Sequence, residues 1–119
     1  MGSKSKGYGT ALIGCVVLNL FCLPAWADFM DGNKLYSACI DKTDFTSHVL
    51  CAGYLEAIAD TVAGKANTYG TACFAENVTG NQVVDVVIKW LEAHPEARHY
   101  SGQSVAVAAI VQAFPCAKP

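Results

Sequence analysis

The chain has 119 residues, 53% of them hydrophobic, with eight basic and ten acidic side chains and a net charge of −2. That length suits one small domain, and with no excess of cations to displace counterions from phosphates, nucleic acid is excluded as a partner.

The first element is a targeting segment. Lys4 and Lys6 precede an apolar run from Ala11 to Leu23, followed by Pro24 and Ala25-Trp26-Ala27. This is the order of charged region, apolar region and small-residue cleavage site found in a secretory signal peptide. The sequence therefore predicts a signal peptide over residues 1–27 and an exported domain over 28–119. The apolar run falls short of the ~18 residues of a spanning helix, and a cleavage signal follows it, which argues against a membrane span. Leu12-Ile13-Gly14-Cys15 has the look of a lipid-attachment motif, but its long apolar stretch lies after the cysteine, the wrong order for that processing. Removing residues 1–27 leaves six cations against ten acids. An acidic domain of this kind suits a charged or basic protein partner.

Within the exported part, the first predicted helix lies between Asp28 and Lys42, with Asp31, Gly32 or Asn33 as cap and Leu35, Tyr36, Cys39 and Ile40 facing inward. Asp41 to Asp44 breaks it. A second helix is expected from Phe45 to Ala66, capped by Thr43 or Asp44, with an apolar face of Val49, Leu50, Tyr54, Ile58 and Val62. Gly64, Asn67, Gly70 and Thr71 then make a loop that runs through Cys73 to Asn77.

The central helix has both ends marked. Thr79 and Gln82 form a capping box, with Val78 and Val83 placed as a hydrophobic staple, and Pro95 pushes His94 out of the helical region. The spacing predicts a helix over 80–93, with Gln82, Asp85, Lys89 and Glu92 on the wet face and Val83, Val84, Val86, Val87, Ile88, Trp90 and Leu91 as its apolar positions, enough for neighbours on two sides. A last helix is expected from Gln103 to Phe114 with Ser101 as cap. It is apolar nearly all round, which makes it either the buried centre of a bundle or part of a subunit interface. No segment alternates as a strand should, so the fold class is all-α, a small bundle of about four helices.

Cys15 and Cys22 leave with the signal peptide, and Cys39, Cys51, Cys73 and Cys116 remain. Four cysteines in a small exported domain read as two disulfides, with three possible connectivities. We favour Cys39 with Cys51, which are chain neighbours, and Cys73 with Cys116, which ties the loop to the end of the last helix. No C-x-x-C pair occurs, and with it go zinc, haem attachment and thioredoxin-like chemistry. No metal or cofactor is expected.

His94, Arg98 and His99 are clustered and invite a hydrolase or metal reading. No H-E-x-x-H or G-x-S-x-G pattern accompanies them, so we read His94 as a helix end and expect Arg98 and His99 to pair with carboxylates at the rim of the core. Asp60 lies on a mainly apolar helix, and we pair it with Arg98, the one arginine of the chain. Tyr54 and Trp90 read as core aromatics.

Cys51-Ala52-Gly53-Tyr54-Leu55, Asp60, Cys73, Val78-Thr79 with Gln82, Val84-Asp85-Val86-Val87, Trp90-Leu91, His94-Pro95, Arg98-His99 and Ala113-Phe114-Pro115-Cys116 stand in an informative order. This pattern, from about Leu35 to Cys116, resembles the Rap/Tai family of type VI secretion immunity proteins. The run from Val78 to His99 and the terminal Phe-Pro-Cys are its specific part. The resemblance implies a small, helical, disulfide-braced periplasmic protein, often a homodimer, that is not an enzyme. It implies a protein toxin as partner, a cell-wall-degrading enzyme such as a peptidoglycan amidase whose active-site cleft is blocked. Two departures stand out. Ala57 replaces the usual glycine, and Phe74-Ala75 follows Cys73 where Ile-Pro is common.

The reading that results is an exported immunity protein, with recognition expected in the loop Asn67 to Asn77 and the turn Glu96 to Gly102. The alternative is a periplasmic stress protein or acid chaperone, which would expose apolar surface when its carboxylates are protonated. A small hydrolase, needing His94 or His99 for turnover, comes third.

Overall fold

The computed structural model describes residues 29–64 and 70–118. The expected signal peptide lies outside the described residues.

Among the described residues, four α-helices and one short 3-10 turn make up the regular structure. Helix α1 spans Gly32–Ile40, α2 Phe45–Val62, α3 Gly80–Ala93 and α4 Gly102–Ala113, with a 3-10 turn at Pro95–Ala97. Each start is held by a side chain that accepts an otherwise unpaired backbone N–H. Asp31 caps α1 by accepting from the Lys34 N–H at 2.8 Å. Asp44 caps α2 by accepting from Thr46 and Ser47. Ser101 caps α4 by accepting from Ser104. For α3 the capping box is complete, because the Thr79 N–H donates to Gln82 Oε1 at 2.8 Å and the Gln82 N–H donates back to Thr79 Oγ1. Asp44 also accepts from the Ser47 hydroxyl, and these donors hold its carboxyl below the usual range.

Every helix touches the other three. Their shared core is built on Leu35 from α1, Cys51, Leu55 and Val62 from α2, Val87 and Leu91 from α3, and Ile110 from α4, all with under 2% of their surface exposed. Burying each Leu, Ile or Val side chain stabilises by roughly 1.5–3 kcal/mol. The ends of this small core are joined by the disulfides Cys39–Cys51, across α1 and α2, and Cys73–Cys116, which ties the loop before α3 to the tail after α4. Both pairings are those favoured from the chain order. Among the described residues the only extended pairing is two isolated bridges, Asp31 with Ser101 and Ala63 with Ala72.

Several sequence expectations need correction. Helix α2 ends at Val62 rather than Ala66, because the Val62 carbonyl accepts from the Ala72 N–H and Gly64 takes a left-handed backbone with φ of 58°. Its buried face is Cys51, Leu55, Ile58, Ala59 and Val62, whereas Val49 and Leu50 face outward. The helix has apolar residues on nearly every side, so periodicity alone does not choose the face. The disulfide does, by drawing Cys51 inward and with it the positions four, seven and eleven residues on. Ile40 is also exposed, at the frayed end of α1. The apolar α4 is buried on its inner side, while Ser104, Ala108 and Gln112 are exposed. Gly102, Val105, Ala106, Val107, Ala109 and Ile110 are covered within the single chain.

Candidate partner-binding surface

The residues singled out in the sequence fall into two groups, and most of them build the corner between α3 and α4. Trp90 donates its indole N–H to Gln112 Oε1 at 2.9 Å and stacks on His94 with ring centroids 4.2 Å apart. His94 caps α3, and its Nδ1 lies 2.8 Å from the Trp90 carbonyl. Pro95 opens the 3-10 turn, where its missing N–H costs nothing. Arg98 donates from Nε to the Leu91 carbonyl at 2.8 Å and lays its guanidinium over the Tyr36 ring, 3.9 Å from the centroid. His99 has Nδ1 2.7 Å from the Glu96 carbonyl and its ring against Tyr100.

The corner is also bound to the start of α1. Gly32 N–H donates to the Tyr100 carbonyl, Asn33 N–H to Arg98 and Gly102 N–H to Met30. Tyr54 reaches the same place from α2. Its hydroxyl accepts from the Gln103 N–H, and burial pushes its pKa up. The expected pairing of Asp60 with Arg98 is not made. The guanidinium is taken by Leu91 and Tyr36, and Asp60 stands exposed on α2 beside a different cleft.

These contacts are those of a brace. His94 and His99 each hold a backbone carbonyl through Nδ1, and no three His, Cys, Asp or Glu side chains are gathered to hold a metal among the described residues. The turn Glu96 to Gly102 joins this brace through Arg98 and the buried Gly102, while Glu96, His99, Tyr100 and Ser101 are exposed.

The second group faces solvent. Asp60 and Glu56 stand on one rim of a cleft of about 300 Å³ between α2 and the segment that leads into α3. Its apolar lining includes Ala59, Phe74, Val78 and Val83. The far wall is rigid for a clear reason. Phe74 packs on Phe114 with centroids 4.8 Å apart, the Cys73 N–H donates to the Phe114 carbonyl, and the disulfide Cys73–Cys116 closes the same junction. Asp85, on the wet face of α3, borders a separate depression with Lys42 and His48. Sequence reasoning missed the exposed Phe45, Val49 and Leu50 and the role of Glu56. The signal that finds them is the inward orientation of Cys51, which turns those four residues outward.

Residues 31–116 match the family of Rap1a immunity proteins. The chain belongs to this family. The match takes in all four helices and both disulfides. No curated protein and no solved structure matched the chain. Rap1a immunity proteins are inhibitors rather than enzymes.

Proposed function

We propose that the chain is the periplasmic immunity partner of a cell-wall-degrading toxin delivered by type VI secretion, which it neutralises by covering the toxin's active-site cleft. The observation that carries this reading is the family match over residues 31–116, the whole of the disulfide-braced bundle. We take the toxin to be a peptidoglycan amidase, the enzyme class that the resemblance implies.

The physical properties support such a role. Two disulfides and four capped helices hold the surface in one shape before binding, so little ordering entropy is lost when the partner arrives. An acidic balance favours fast capture of a partner with a basic rim. The same balance repels anionic polymers. The reading carries cleavage after residue 27 and the homodimer implied by the resemblance, which sedimentation of the mature domain reads directly.

The test is rescue. Co-expression with the secreted product of the adjacent gene, both directed to the periplasm, is expected to restore growth, and the same chain without residues 1–27 is expected to fail. Lysis that continues despite periplasmic expression contradicts the proposal.

A further inference from the structure

Helix α2 leaves one long side uncovered. Phe45 is 80% exposed, Val49 51% and Leu50 50%, which is unusual for three large apolar residues within two turns. At 100° per residue they share that side with Gly53, Glu56, Ala57 and Asp60, opposite the buried Cys51, Leu55, Ile58 and Val62. A side chain at Gly53 would meet nothing within 4 Å, so the helix backbone is open to close approach there.

Glu56 and Asp60 are four residues apart, and like charges at that spacing destabilise a helix by a few tenths of a kcal/mol. Neither meets a cation among the described residues. Both lean over the cleft whose floor is Ala59, Phe74, Val78 and Val83. Apolar walls topped by two carboxylates fit a lysine or arginine, whose methylene stem lies along the walls while its charged head stays at the rim. Seven residues separate Val49 from Glu56, about 10 Å along the axis.

We propose that the outward side of α2, from Phe45 to Asp60, with the adjoining cleft, is the surface that docks the toxin. The partner presents one basic side chain to Glu56 and Asp60 and, about 15 Å away centre to centre along the helix, an apolar cluster to Phe45, Val49 and Leu50. This rests on the reading of the chain as an immunity protein. A second copy is a poor occupant. Antiparallel pairing of two α2 helices about Gly53 lays Phe45 and Val49 of one copy on Asp60 and Glu56 of the other, and parallel pairing sets acid against acid.

The experiment measures affinity for the purified product of the adjacent gene at about 50 and about 300 mM salt, on either side of a Debye length of ~10 Å. Three variants are compared with the wild type: Phe45→Ser/Leu50→Ser, Glu56→Gln/Asp60→Asn, and a control, Asp85→Asn/Glu92→Gln, which removes the same charge from α3. Circular dichroism confirms that each is folded. Both α2 variants are expected to bind at least about tenfold more weakly, as central interface residues do, with the control within about twofold. Glu56→Gln/Asp60→Asn is also expected to flatten the salt dependence that the wild type and the control share. Wild-type affinity in both α2 variants overturns the docking surface and leaves the immunity reading standing. Loss of a dimer in Phe45→Ser/Leu50→Ser with full toxin binding assigns the face to a second copy and overturns it equally. No binding by the wild type overturns both readings.

Discussion

At the scale of single residues, Gly32 is a position where the backbones of two segments meet closely. A β-carbon there would stand 2.8 Å from the Arg98 carbonyl oxygen and 2.9 Å from its Cα, against backbone that cannot move aside. Gly32→Ala is therefore expected to cost about 1–3 kcal/mol of stability, read by urea unfolding, although alanine is the better helix former. Gly80→Ala gives the contrast. There the new methyl meets the Glu56 carboxylate, the free end of a flexible side chain, so the change is expected to be mild. Asp41 and Asp44 contribute to the acid response. Donors from Thr43 lower the carboxyl of Asp41, and donors from Ser47 lower that of Asp44. A carboxyl depressed in the folded state adds stability above its unfolded pKa, and that stability is lost as pH falls through the folded value. Melting temperature should accordingly drop as pH falls below about 4, where free aspartates titrate, and Asp41→Asn/Asp44→Asn should show a shallower drop.

At the scale of elements, the two disulfides differ in reach. Cys39–Cys51 spans 12 residues and Cys73–Cys116 spans 43. Loop entropy gives the shorter bridge about 3 kcal/mol and the longer about 4. Guanidinium unfolding of the two double alanine variants is expected to follow that order, and the reverse order would show that strain or burial outweighs chain entropy. The central helix was legible to the residue, because Thr79, Gln82 and Pro95 mark its ends by local chemistry that needs no tertiary partner. Helix α2 was not. Its apolar residues surround it, and only the long-range choice of Cys39 as partner for Cys51 says which side is inward. The same reasoning explains why Trp90, His94 and Arg98 stood out in the sequence yet form a brace. Their spacing was visible, but the contacts of Trp90 with Gln112 and of Arg98 with Tyr36 join segments far apart in the chain. Asp60 is the instructive miss. Arg98 was the obvious partner by count, and packing gave it to Tyr36 instead.

At the scale of the whole molecule, the chain divides into a braced corner that keeps its shape and an α2 side that is left open. A family of inhibitors needs both, since blocking a cleft asks for a rigid surface with uncovered apolar and charged groups. The most direct measurement is a titration of the mature domain into the purified product of the adjacent gene during digestion of peptidoglycan. The account predicts that turnover falls in proportion to added protein and vanishes at a stoichiometric ratio. Turnover that is unchanged by a large excess of correctly disulfide-bonded protein would contradict it.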